Sequence, residues 1–171
     1  LQALSTFTMP EYKGTKGYQG ILVKMTLGDL YKNKLSFIDS LTYTISDDAT
    51  GGDCSQIGKW NSETRTCILL SDVSEPILIG ANGITLDGNE HRIHSFDKPG
   101  YVDGGIIIKE KIDVTIKNIK IESGNGVAII LLNVKDSIFE NNEIIGAGGY
   151  QITYASNILI QGNEINALAG I

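Results

Sequence analysis

The chain has 171 residues, a formal net charge of −6 and a pI near 4.8, with 42% hydrophobic and 20% charged residues. That suffices for one domain, or one domain and an appendage, with a sizeable core, and is too apolar for a disordered chain. The acidic balance excludes nucleic acid and anionic membrane as main partners, and no apolar run of roughly 18 residues is present to span a bilayer.

Leu1 is preceded by no initiator Met and opens no signal-peptide pattern, as in a mature or trimmed chain. Residues 1 to 50 do not repeat and are expected to form an N-terminal cap or arm, able to donate a strand to a neighbour. Within them "GILVKMTL" and "LSFIDSLTYTI" each suit a strand. "LGDLYKNKLSFIDSL", with Leu27, Leu30, Tyr31 and Leu35 near helical spacing, equally suits a short amphipathic helix. "SDDATGGD" is a linker by composition. Its Asp47, Asp48 and Asp53 could form a Ca²⁺ loop but lack the EF-hand spacing and glutamate, and solvated linker acids are the simpler reading.

Cys54 and Cys67 bracket "SQIGKWNSETRT", a segment with a hairpin-like polar centre. A disulfide across it, and with it an oxidising, extracytoplasmic compartment, is expected; two buried thiols are the alternative. Trp60 in this loop either staples the hairpin to the body or offers a face to a sugar.

Beyond residue 51 the chain repeats. Gly105, Gly126, Gly149 and Gly170 each open a short apolar run, and each of the first three is followed by a second run: "VTIKNIKI", "SIFENNEI" and "ILIQGNEI". "EPILIG" and "ITLDGNEHRI" form an earlier copy, with two extra residues before Ile93. Apolar residues alternate within these short runs, as in half-buried strands, and no helical period intervenes. Strands recurring every 21 to 23 residues without helical crossovers must coil, each turn lying on the last. The expected fold is all-β, a right-handed parallel β-helix over residues 51–171 behind the N-terminal segment. With the glycines as anchors, Ile106, Val127, Tyr150 and Ile171 fill one inside column, with Ile108, Ile129 and Ile152 beside it. Asn118 and Asn141 share one corner column, and Asn142 and Asn163 the next.

The stretch "GDCSQIGKWNSETRTCILLSDVSEPILIGANGITLDGNEHRI", with the repeats that follow, resembles secreted NosD-like or CASH-type right-handed β-helix proteins. The resemblance implies a disulfide-bearing hairpin leading into the helix. It is poor for function, since lyases, epimerases, copper-maturation factors and inert surface proteins share the repeat.

Catalytic groups on such a fold belong in outward columns. One reads Asp87, Lys117, Glu140, Gln161; a second reads Lys120, Glu143, Glu164, joined by Glu90. Glu143 and Glu164, one coil apart, could share a Ca²⁺. The simpler reading is a solvated face whose lysines interleave the acids. Clustered aspartates of the polygalacturonase kind and the Asp-Pro-His-Asp motif of the epimerases are absent. The two arginines, Arg65 and Arg92, are expected outside the regular coils. His91 and His94 fall three apart, a spacing that puts them on opposite faces of a strand, and Met9 and Met25 lie far off in sequence, so a metal centre is not expected there. Tyr101, Tyr154 and Trp60 are the candidates for stacking on a sugar, whereas Tyr150 belongs to the core. An apolar outward flank of Ile107, Ala128, Ile130, Leu131 and Leu132 asks to be covered, by the N-terminal segment or by another subunit. The chain stops at "LAGI", inside what the register makes another strand, as expected of a truncated chain, a piece of a longer parent or an assembly whose neighbour stacks there.

These features point to a non-catalytic extracellular structural or surface protein. Its partners would be further copies of itself, end to end or side by side, or a cell-surface polysaccharide, outside the cell or in the periplasm, with no resident cofactor. The alternatives are a polysaccharide lyase, hydrolase or epimerase fragment using Asp87, Glu140 and Glu143, and, by resemblance alone, a periplasmic copper-handling factor.

Overall fold

The computed structural model of the chain describes residues 42–94 and 104–170. Expectations that fall on residues 1–41, on Tyr101 and on Ile171 lie outside the described residues. Short runs of β-branched residues form strands throughout. They are β1 (Tyr43–Ile45), β2 (Gly58–Asn61), β3 (Thr66–Leu69), β4 (Ile77–Ile79), β5 (Thr85–Asp87), β6 (Arg92–His94) and β7 (Gly104–Lys109). After them come β8 (Thr115–Lys117), β9 (Lys120–Glu122), β10 (Val127–Leu132), β11 (Lys135–Glu140), β12 (Glu143–Thr153), β13 (Ser156–Gln161) and β14 (Glu164–Ala169).

Every ladder among β4 to β14 is parallel and joins strands one coil apart, so the chain winds as a parallel β-solenoid of about four turns. The first strand of each coil stacks in the order β1-β4-β7-β10-β12, and the second in the order β3-β5-β8-β11-β13. The third strands, β6, β9, the start of β12 and β14, complete the section.

The interior is a set of isoleucine-rich columns. Ile77, Ile106, Ile129 and Tyr150 form one, and Ile79, Ile108, Leu131 and Ile152 the next. Cys67, Leu86, Ile116, Phe139 and Ile160 line the second sheet, and Ile93, Ile121, Ile144 and Ile165 the third. Most of these side chains have no exposed surface, each worth roughly 2 kcal/mol of apolar burial.

Corners are made by residues in the left-handed region, where a short polar side chain costs least. Three columns of them stack: Glu110, Asn133 and Tyr154; Asp113, Asp136 and Asn157; Asn118, Asn141 and Gly162. Asn118 and Asn141 thus share a corner, as expected. In the earliest full coil Asn89 and Glu90, both at positive φ, are the two extra residues before Ile93.

The first-strand register differs from the one anchored on glycines. Val127 faces Gly104 and Gly148, and Tyr150 faces Ile129, two residues from the expected partner. The coil-length difference sits in the corner after the third strand, not in the one after the first. There the chain makes a turn closed by the Gly126 N–H on the Ser123 carbonyl, whereas one coil later β12 runs straight through. Gly146 permits this at φ +156, since a Cβ there would lie 2.1 Å from Ser123 Oγ.

The apolar flank is corrected in the same way. Leu131 follows Ile129 inward, and Ala128 joins the core beside the Ser123–Gly126 turn; both are fully buried. Ile107 is buried, Ile130 half-buried and Leu132 exposed.

At the N-terminal end β1 pairs with β4, so Tyr43–Ile45 belong to the ladder although they precede the linker. The hairpin is antiparallel β2 on β3, preceded by a four-residue helix, α1 (Cys54–Ile57), too short to leave a helical period in the sequence. Cys54 and Cys67 form a disulfide with Cα atoms 5.8 Å apart, tying α1 to the first residue of a core column. Replacing both by serine is expected to lower the free energy of unfolding by about 3 kcal/mol, the loop-closure contribution for a loop of this size. Urea denaturation with and without reductant reads it; identical midpoints would refute a stabilising role.

Candidate functional site

Side chains that alternate outward from β5, β8, β11 and β13 form the column Asp87, Lys117, Glu140, Gln161, in the order read from the sequence. Each acid in it is held. Lys117 Nζ lies 3.4 Å from Asp87 Oδ2, and Asn118 Nδ2 donates to Asp87 Oδ1 at 3.1 Å. Gln161 Nε2 donates to Glu140 Oε2 at 2.9 Å. The neighbouring column begins with Arg92, not Glu90, followed by Lys120, Glu143 and Glu164. Glu90 sits in the left-handed corner and reaches Lys120 only from the side, at 3.9 Å, while Lys120 also lies 3.4 Å from Glu143. Arg92 therefore lies within a regular coil, contrary to expectation. Asp87, Glu140 and Glu143 come to one side of the solenoid, but in two columns, with a cation or amide set against each.

His91 and His94 do not meet at a common centre. His91 Nδ1 faces Asp72 at 3.4 Å, and His94 Nδ1 faces Glu122 at 2.9 Å, where Arg92 also binds. Asp72 accepts the Arg92 backbone N–H at 2.9 Å, which with His91 holds its carboxyl below the usual range. In the linker, Asp48 accepts from the Gly52 N–H, from the Ser46 hydroxyl and from the Thr50 N–H, which hold it far below the usual range. Asp47 pairs with Arg65, and Asp53 accepts from the Thr44 N–H and the Gln56 amide. The three linker carboxylates are thus each turned to separate protein donors. Among the described residues no group of three or more His, Cys, Asp or Glu is arranged to hold a metal ion.

The aromatic candidates differ sharply. Trp60 is half-buried against the core, its ring over Gly51, where a Cβ would fall 2.4 Å from Cδ2. Its indole N–H is buried without a hydrogen-bond partner. Tyr150 is in the core, and burial pushes its phenol up to about 12, with the Asn142 side chain pulling weakly the other way. Tyr154 is 83% exposed at a corner with φ 53. One to two coils earlier, a shallow depression is lined by Glu110, Ile112, Asn133 and Lys135, a feature the sequence reading passed over. Its signal was available in principle: polar residues recurring with the coil period just after the first-strand runs.

With the stacked coils and their outward columns in place, comparison with known families is decisive on one point. A family model described as the right-handed beta helix region matches residues 60–171. The chain belongs to that family. No curated protein and no solved structure matches it. The β-helix of this chain carries its disulfide at the N-terminal hairpin, and no helix among its described residues is long and apolar enough to cross a membrane. The family is compatible with surface and polysaccharide-related proteins.

Proposed function

We propose that this chain is a non-catalytic β-helical module of an extracellular or periplasmic surface protein, which associates with further copies of itself or attaches to glycan. The observation that carries this reading is the pairing of outward acids: Asp87 with Lys117, Glu140 with Gln161, Glu143 with Lys120. A general acid or base needs a free, polarised carboxyl aimed at the substrate, and these are instead engaged in bridging one coil to the next. The disulfide supports an oxidising compartment.

The test is incubation of the full chain with polygalacturonate, alginate and neutral glucans, followed for new reducing or unsaturated ends. No new ends are expected over hours at micromolar protein. Product that forms with the wild-type chain and disappears in Glu140→Gln or Glu143→Gln would overturn the reading in favour of a lyase or hydrolase.

A further inference from the structure

The outward face of the second sheet changes character along the winding axis. Its strands β5, β8, β11 and β13 lie side by side in parallel register, so their outward residues form two columns. One reads Thr85, Thr115, Ile138, Leu159, small in the two earlier coils and large and apolar in the two later ones. Ile138 is 37% exposed and Leu159 46%, two adjacent apolar side chains set outside the core. The other column, Asp87, Lys117, Glu140, Gln161, has an ammonium and a carboxylate at its centre and a carboxylate and an amide at its ends.

Each column is the complement of its own reverse. A second copy turned end for end, about an axis parallel to the strands and midway between β8 and β11, lays each column on itself with the coil order inverted. Ile138 then meets Thr115 of the second copy and Leu159 meets Thr85, large on small. Lys117 meets Glu140, and Asp87 meets the Gln161 amide. A slide by one coil destroys the match, since Lys117 would face Lys117, or Glu140 would face Glu140. A copy laid on in the same direction would set the apolar column against the charged one. The central charges have bonds to spare. Gln161 binds Glu140 through Oε2, which leaves Oε1 to accept another donor, and the Lys117 ammonium, 3.4 Å from Asp87, has three N–H groups to share. Around the Asn118–Asn141 corner, Arg92 and Lys120 precede Glu143 and Glu164 in the next column, so the field of this whole side favours a reversed copy.

We propose that this face is a homodimer interface, in which the second sheets of two copies pack face to face and antiparallel about a two-fold axis. The face is narrow, below the roughly 800 Å² per subunit of a stable interface, so the dimer is weak and reversible. The inference rests on the self-association half of the reading above and gives it a surface and a direction.

Sedimentation velocity of the full chain, taken from about 5 μM to about 1 mM, reads the equilibrium. The wild-type chain is expected to dimerise with a Kd on the order of 100 μM, and Lys117→Glu, Glu140→Lys and Ile138→Ser each to weaken it about tenfold. Mixing Lys117→Glu with Glu140→Lys is expected to restore dimerisation, because each reversed charge then faces the other across the interface. Ile138→Ser leaves every charge in place and keeps the test independent of any unfolding that a charge reversal causes. Loss in the single variants without rescue on mixing overturns the antiparallel pairing. Self-association that none of the variants weakens overturns this interface and leaves self-association itself standing. A wild-type chain that stays monomeric throughout overturns both the interface and the self-association reading, and leaves glycan attachment.

Discussion

Phe139→Ala is expected to lower the free energy of unfolding by about 4 kcal/mol, as for an aromatic ring removed from a site that cannot collapse. Phe139 is the largest of the fully buried side chains and sits between Ile116 and Ile160 in the second-sheet column. Its ring meets Tyr150 edge-on, with centroids 5.8 Å apart and planes at 81°. The coil spacing is set by backbone ladders on both sides, so neighbours cannot close over the void, and the cavity persists. Equilibrium urea denaturation measures the loss, and a change below about 1.5 kcal/mol would mean that the column relaxes after all. A second reading comes from Tyr150, whose phenol burial pushes up to about 12. Water entering the vacated space should move it back toward 10, visible by ultraviolet titration.

Asn142→Leu is expected to cost about 3 kcal/mol for a different reason. Asn142 is 1% exposed, and its amide ties β8 of the neighbouring coil to the corner that follows it. Its Oδ1 accepts the Ile119 N–H at 3.1 Å, and its Nδ2 donates to the Ile116 carbonyl at 3.1 Å. Leucine of similar size leaves the Ile119 N–H buried and unpaired, at roughly 1–3 kcal/mol, and takes from the Ile116 carbonyl, which also belongs to the β8–β11 ladder, its side-chain donor, at about 1 kcal/mol more. Asn163 repeats the device one coil on, accepting from the Asn142 N–H at 2.8 Å and donating to the Phe139 carbonyl at 2.8 Å. Being more exposed, Asn163→Leu should cost less than half as much. Equal losses at the two positions would argue that water already satisfies the Ile119 and Ile116 groups.

The outward column Asp87, Lys117, Glu140, Gln161 was readable residue by residue because strict alternation of polar and apolar residues sets register. The corner asparagines were readable because Asn118 and Asn141 take a conformation few other side chains accept. The first strand was harder. "GIII" and "GVAIILL" are apolar on both faces, so a slip of two residues leaves the pattern unchanged, and glycines become a tempting anchor. Gly105 in fact lies opposite Ala128, not Gly126, since the extra residues are absorbed by the Ser123–Gly126 turn. Glu90 was misplaced for a related reason: two left-handed residues in succession carry the chain around before Arg92 enters the column. Tyr154 was named from composition alone; its left-handed backbone and the depression lined by Glu110, Ile112, Asn133 and Lys135 are three-dimensional facts that no spacing announces.

The ladders between coils have a mechanical consequence. Their N–H to carbonyl bonds point along the winding axis, so a pull applied from one end to the other loads all the rungs between two turns together, and a break must shed a whole turn. Sideways force meets the packed isoleucine interior instead. Lengthwise tension should therefore be met in discrete steps of roughly one repeat.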